Sequence, residues 1–384
     1  MINSLKNVII LTIFIVLLPP VNGLGKKQAC LFHAGDIFPS YIFSSRLTPE
    51  DLNYLGLTRS LKHYLGFEKP STFTLMDIQA ELIIVEFLNV YCTSCQAQAP
   101  VMNKVYKLIQ QEESLREKVK IFSVCSGNNL NETNTFKKNN SIPFPMIPDP
   151  KFDAYEAIGD PCGTPFILLV RKNMDKGIIT WSHIGLVSSP LYFVQETWDA
   201  LKTDLKDIAA KTDEKRSRVL AVQKPKPFLT DEELKKRIRE RMESLLFKLN
   251  SLERVVLKKN KDIFIGQIKA EGVDKTLFFK LISRNPVCDV CHAVHFIIAF
   301  DDTGTVIDFI PLHITKYGNI PWNKKEIEKT LRILLGKSVL KPIKFNPQVD
   351  AISKATMSSA LIFNAVEKIE RDYFELQTAG YIKE

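Results

Sequence analysis

Apolar positions follow one grammar up to about residue 209 and another beyond about residue 250. In the first part the run "LIIVEFLNV" (82–90) is dense in β-branched residues and hardly alternates, so it reads as a strand buried on both faces. A helical stretch follows through "QAPVMNKVYKLIQQ" (98–111), then a strand at "VKIFSVCS" (119–126), a polar segment "GNNLNETNTFKKNNS" (127–141) and the proline-rich "IPFPMIPDP" (142–150). Strands at "PFILLV" (165–170) and "GIITWSHIG" (177–185) precede a helix expected over about 191–209. Strands alternating with helices predict an α/β unit whose sheet is covered by helices.

Beyond residue 250 the strand-like runs "RVVLKK", "DIFIGQIKA", "KTLFFKLI", "VHFIIAF" and "VIDFIPL" succeed one another across turns such as "DDTG". No helix intervenes, which predicts an α+β unit with antiparallel pairing, followed by helices starting near Asn323 and near Asp350. Between the two units Thr230 and Glu233 form a capping-box pattern that opens a charged helix. The expected organisation is an export signal at 1–23, an α/β domain at 24–209, a charged helical linker at 210–249 and an α+β domain at 250–384.

The signal is read from Lys6, the apolar run "VIILTIFIVLL" and the small residues Val21 and Gly23. That run is too short to span a bilayer comfortably, so a periplasmic or otherwise exported protein is expected, with a retained N-terminal anchor as the alternative. At 45% hydrophobic and 25% charged residues over 384 positions, the chain is long and apolar enough for a substantial core. The net charge of +9 sits mostly between residues 206 and 241, where both signs mix and Phe228 is the single aromatic, so nucleic acid is not an expected partner.

The seven cysteines include two Cys-x-x-Cys pairs, Cys92/Cys95 and Cys288/Cys291, with Cys30, Cys125 and Cys162 left over. Such short loops restrain little chain entropy, which suggests redox chemistry or cofactor attachment rather than stapling. The first pair follows a buried strand at the mouth of a helix, where amide hydrogens and the helix dipole favour a thiolate; Cys92 is then the nucleophile and Cys95 the resolving thiol.

With Glu86 six residues before Cys92, Pro100 eight after it, and Thr164-Pro165 in "CGTPFILLV", residues 35 to 205 resemble the thioredoxin-like superfamily, particularly its exported redoxins. The resemblance implies thiol-disulfide oxidoreductase activity on protein dithiols and disulfides. It also implies a cis Pro165 that presents the Thr164 main chain to substrate, and a buried Glu86 that takes the proton Cys95 must lose. The 70 residues from Cys95 to Pro165 exceed the minimal spacing and fit the insertion of redoxins. Peroxiredoxin chemistry is the rival within the fold, but "EFLNVYC" lacks the proline and hydroxyl residue of that pattern.

"VDAISKATMSS" (349–359) places hydroxyls at a helix start, where dipole, amides and side chains can grip a phosphate. With the preceding strands it resembles, over about 255–375, the FMN-binding domains of Rnf-type and sodium-pumping quinone reductases. The resemblance implies FMN held by Asp350, Ser353, Ala355, Thr356 and Ser358, with Thr356 at the position that carries covalent flavin in some members. Lys354 replaces the usual glycine, which places covalent attachment in question; the plainer alternative is an amphipathic helix packed through Ala360, Leu361, Phe363 and Val366.

Cys288-Asp-Val-Cys291-His292 leaves three alternatives open: a second redox pair or plain disulfide, c-type haem attachment with His292 on iron, or half of a zinc site with His292 or His295. The expectation is an exported electron-transfer protein, a thiol-disulfide oxidoreductase coupled to a flavin domain, with a membrane electron-transfer partner as one option. The alternative is a non-enzymatic assembly or haem-handling factor whose C-terminal domain is structural.

Overall fold

The computed structural model describes residues 34–57, 71–161, 163–205, 229–257, 262–270, 273–287 and 292–382. The expected export signal, Cys30, Cys162, Cys288 and Cys291 lie outside the described residues. In chain order the first half contains β1 (Phe43–Ser45), α1 (Pro49–Leu55), β2 (Ser71–Phe73), β3 (Leu82–Leu88), α2 (Thr93–Gln111), α3 (Glu113–Lys118), β4 (Val119–Ser126), α4 (Leu130–Asn139), β5 (Met146–Asp149), α5 (Asp153–Ala157), β6 (Phe166–Asn173), β7 (Lys176–Ile184) and α6 (Pro190–Lys202). The main sheet runs β5-β4-β3-β6-β7. β3 lies at its centre, parallel to β4 and antiparallel to β6, and all seven of its residues are buried. That order and those directions agree with the helix-covered α/β sheet expected from the sequence. Leu82, Ile84 and Leu88 on one face of β3 share a core with Ala99, Met102 and Val105 of α2 and Phe193 of α6.

The polar segment at 127–141 folds as α4, which hydrophobic periodicity did not predict. Its start is fixed by a reciprocal cap: Glu132 N–H donates to Asn129 Oδ1 at 3.0 Å, and Asn129 N–H donates to Glu132 Oε2 at 2.8 Å. Of its ten residues only Thr133 and Phe136 are buried, so the apolar signal is a single aromatic.

The second half contains α7 (Asp231–Ser244), β8 (Leu249–Val255), β9 (Ile263–Ala270), β10 (Val273–Arg284), β11 (Val294–Asp301), β12 (Val306–His313), the short β13 (Thr315–Lys316) and β14 (Ile320–Pro321), α8 (Lys324–Leu334), α9 (Thr356–Glu367) and α10 (Ile369–Thr378). β8 to β12 form an antiparallel meander in chain order, as the sequence predicts. Asn323 caps α8 as expected, whereas the helix placed near Asp350 begins only at Thr356.

The capping box at Thr230 forms, but α7 is not a linker. Leu234, Ile238 and Met242 recur every four residues, have no exposed surface and pack with Leu252, Phe264, Phe279 and Ile297 of the second sheet. Arg241 adds a two-pronged bond to the buried Asp308 at 2.6 and 2.9 Å. The abundant charge on the outer face of α7 masks this stripe in the sequence. Residues 31–384 form one compact unit, so the two sheets share a body instead of hanging on a tether. Among the described residues no helix is long and apolar enough to cross a membrane.

If α7 is core, Ile238→Ala should cost about 2–5 kcal/mol and lower the urea midpoint, while Lys236→Ala on the exposed face should stay within about 0.5 kcal/mol. Equal midpoints for the two variants would return α7 to the role of a linker.

Candidate active site

β3 ends at Leu88, and the next three residues are pinned by side-chain amides. Asn89 accepts the Tyr91 N–H on Oδ1 at 2.9 Å and donates through Nδ2 to Ser126 O at 2.6 Å. Val90 N–H donates to Asn128 Oδ1 at 3.0 Å, and Gln96 Nε2 donates to Val90 O at 3.0 Å. This loop delivers Cys92 to the N-cap position of α2, in extended conformation and with its N–H on Asn89 O at 3.0 Å. Asn89, Gln96 and Asn128 escaped the sequence analysis; the asparagine between a buried strand and a helix start was the available signal.

Opposite the loop, the Thr164-Pro165 bond is cis, and the Cys92 thiol donates to Thr164 O at 3.3 Å. Cys95, one turn into α2, accepts the Asn89 N–H on its sulfur at 3.5 Å. Both are free thiols, with 0% and 1% of their surface exposed. Burial pushes the Cys95 thiol well up, the hydrogen bond and charge of Cys92 add to the rise, and contacts with Thr164 and the Asn89 amide oppose it.

Glu86 is buried on the β3 face that carries Ile84 and Leu88, in register with Ser123 and Ile167. Ser123 Oγ donates to its Oε2 at 2.6 Å, yet burial dominates and raises Glu86 from 4.5 to about 7. The structure thus brings Cys92, Cys95, Thr164 and Pro165 together at the start of α2, while Glu86 lies in β3 bonded to Ser123, where its charge acts on the Cys125 thiol. A buried carboxyl that titrates near neutrality can exchange a proton with a thiol at working pH. Cys125, also buried, has its thiol pushed up by the same desolvation.

The second half of the chain closes over this end. Thr164 Oγ1 donates to Val287 O at 2.6 Å, with Val287 only 1% exposed. Around that bond, Arg284 and Lys368 each meet Glu156 Oε1 at 2.7 Å, and Lys151 meets Glu367 at 2.8 Å. Asp160 is buried among them; desolvation raises it to about 7, against the Arg284 charge and a hydrogen bond with Asn285. Beside the dithiol a cleft of about 640 Å³ opens between Val90, Tyr91, Gln96 and Glu132 on one side and Pro347 and Gln348 on the other.

The residues expected to hold FMN do not converge on an anion. Asp350 Oδ2 accepts the Asn346 N–H at 2.7 Å, and Ser353 faces solvent. Ser358 Oγ donates to Thr315 O at 3.2 Å, and Ser359 Oγ accepts the Ile352 N–H at 3.1 Å. Ala355 caps α9 without a side-chain bond, and Met357, next to Thr356, packs on the core that contains Cys92 and Cys95. The Ser358 and Ser359 hydroxyls therefore tie the helix start to its own surroundings. Lys354 adopts a left-handed φ of 61°, the conformation for which glycine is suited, with its carbonyl accepting the Tyr317 N–H at 2.8 Å. Nor is α9 amphipathic: Ser358 through Val366 are all buried.

His292 is exposed, and its ring lies 5.6 Å from that of His313, which in turn lies 6.3 Å from His295. Burial lowers His295 to about 4, and the His313 charge adds to the fall. Among the described residues no group of three ligating side chains could hold a metal ion.

No protein-family model matches the sequence, and no curated protein matches it. Similar solved structures include a putative thiol:disulfide interchange protein DsbE from Chlorobium tepidum, at 16% identity and a TM-score of 0.33 over 44% of this chain and 99% of that one. StoA from Bacillus subtilis gives 18% identity and a TM-score of 0.29 over 41% of this chain and 96% of its own. A secreted Mycobacterium tuberculosis disulfide oxidoreductase homologous to E. coli DsbE gives 13% and 0.28 over 34% and 90%. Likeness at that level says nothing of substrate, and the functional reading rests on the geometry of the dithiol.

Proposed function

We propose that the protein is a thiol-disulfide oxidoreductase acting on protein dithiols and disulfides, with Cys92 as nucleophile and Cys95 as resolving thiol. The observation that carries this is the Cys92 sulfur at the N-cap of α2, 3.3 Å from the carbonyl before a cis proline, with Cys95 one turn behind it. Cys92 attacks one sulfur of a substrate disulfide and the other leaves as a thiolate. Cys95 passes its proton toward Glu86 and attacks Cys92, which expels the second substrate thiol and leaves a Cys92–Cys95 disulfide. Run backwards, the same steps oxidise a dithiol. The apolar N-terminal run supports an exported setting, where such exchange persists. The reading needs no flavin.

Trapping tests the assignment. Cys95→Ser should accumulate mixed disulfides on Cys92 when offered a reducible protein disulfide, and Cys92→Ser should accumulate none. Mixed disulfides spread over the other cysteines in the Cys95→Ser protein would defeat the reading.

Glu86 gives a pH test with a definite sign. Its folded pKa lies above 4.5, so its contribution to stability is present below about pH 4.5 and is lost as pH rises through about 7, a change on the order of 3 kcal/mol. Glu86→Gln removes that dependence. Its stability relative to the parent protein, read by urea unfolding, should be greater at pH 8 than at pH 5. The resolving step should lose its rise near pH 7 and slow on the order of 10²-fold at pH 8. A stability difference independent of pH, with an unchanged resolving rate, would remove Glu86 from the mechanism.

A further inference from the structure

The backbone amides that link β3 to α2 all have partners, and none of those partners is a strand ladder. The Asn89 N–H points to the Cys95 sulfur at 3.5 Å, the Val90 N–H to Asn128 Oδ1 at 3.0 Å, the Tyr91 N–H to Asn89 Oδ1 at 2.9 Å and the Cys92 N–H to Asn89 O at 3.0 Å. Two of these acceptors are side-chain amides, and one is the resolving thiol itself.

Both asparagines are anchored at the end of β4. Asn89 Nδ2 donates to the carbonyl of Ser126, the last residue of that strand, at 2.6 Å. Asn128 follows Gly127, where a φ of 76° and a Phe152 ring atom 2.2 Å from where a Cβ would stand leave room for glycine alone. The turn brings Asn128 back, its own N–H on Cys125 O at 3.1 Å, to meet Val90. Asn89 is 1% exposed and Asn128 0%. Among the described residues Asn128 Nδ2 has no partner, so this amide carries a desolvation cost that an apolar side chain would not. What the position supplies in return is the acceptor for the Val90 N–H.

We propose that Asn89 and Asn128 are positioning residues for the resolving thiol: their side chains hold residues 89–91 so that the Asn89 N–H stays aimed at the Cys95 sulfur as charge develops there. This rests on the oxidoreductase reading and assigns the device that controls its second step. In that step Cys95 gives up its proton and its sulfur bonds to the Cys92 sulfur of the mixed disulfide. The substrate sulfur leaves with the electron pair of the broken bond and is protonated in its turn. Burial opposes the ionisation that begins the step, and Cys92 adds to the opposition; Thr164, from the cis-proline loop, and the Asn89 amide favour it. A donor fixed in place before the charge appears needs no reorganisation when it does. Clamping the amide therefore keeps a buried thiol reactive.

The test uses the full chain loaded at Cys92 with a coloured aryl thiol as a mixed disulfide, the attachment mapped by peptide mass spectrometry. Release of that thiol by Cys95 is followed across neutral and alkaline pH, with Cys95→Ser as the background. Asn89→Ala and Asn128→Ala should each slow release about 10-fold near neutral pH and move the midpoint of the pH profile up by about one unit. The alkaline plateau should stay where it is, because ionisation there no longer depends on the amide. Asn89→Ser, whose hydroxyl accepts the Tyr91 N–H more weakly, should recover part of the loss. It takes the place of an alanine variant that fails to fold, with a smaller upward shift expected. Ile109→Val, a loss of packing in the core beneath α2, should lower the urea midpoint and leave the profile in place. Profiles that coincide with that of the parent protein, or a slowing equal at every pH, would overturn the proposal alone. A chain that takes up no aryl thiol at Cys92, or releases it no faster than Cys95→Ser, refutes the oxidoreductase reading beneath it.

Discussion

Thr164 is held from both sides, and the arrangement of the molecule turns on that residue. Its backbone carbonyl receives the Cys92 thiol, its hydroxyl reaches across to Val287, and it has no exposed surface. A neutral hydrogen bond in such a place stabilises by about 1 kcal/mol, but leaving either partner unsatisfied costs more, on the order of 1–3 kcal/mol. The bond therefore specifies position more than it adds stability: it sets where the second sheet must end for the first to close. The ion pairs around it are partly exposed and contribute little singly, yet Glu156 is shared by Arg284 and Lys368, which fixes the angle of approach.

Three carboxyls are buried around this framework at a cost. Glu86 and Asp160, at the site, and Asp149, at the end of β5, are each raised to about 7, in every case with desolvation as the largest cause. Asp149 has a structural use, accepting the Ala154 and Tyr155 amides at the start of α5. Asp160 has its use in the contact between halves. Glu86 accepts a hydrogen bond from Ser123, in a strand otherwise made of aliphatic and aromatic side chains. A titratable group in a strand where leucine would fit carries a desolvation cost, and the proton-transfer role proposed for Glu86 offers a reason for it.

The sequence revealed what periodicity and short spacing can encode. Buried β3 shows as an unbroken apolar run, β4 and the meander β9 to β12 as short runs between turns, and the dithiol with Glu86 and Thr164-Pro165 as residues at fixed offsets. Three features stayed hidden for separate physical reasons. α4 presents one buried aromatic among polar residues, so its signal is the cap at Asn129 and not a stripe. α7 has a stripe of three apolar residues, obscured by the charge of its solvent face. The contacts of Arg284, Asn285 and Val287 with Glu156, Asp160 and Thr164 join positions more than 120 residues apart, and no local pattern records them.

The hydroxyl-rich start of α9 shows how a local motif can be turned to another use. Dipole, amides and serines at a helix start suit a phosphate, but here Ser358 and Ser359 are bonded to Thr315 and Ile352, and Met357 rests on the core of the dithiol. The same end of the helix thus supports the closure. Closure in turn acts on the chemistry. The nucleophile in disulfide exchange is the thiolate, and burial pushes the Cys95 thiol well above its ordinary value, which disfavours its ionisation. Water admitted by separating the halves would expose the sulfurs and ease ionisation together. The Thr164 residue that receives the Cys92 thiol also holds Val287, so the contact between the halves and the surroundings of the nucleophile are fixed together.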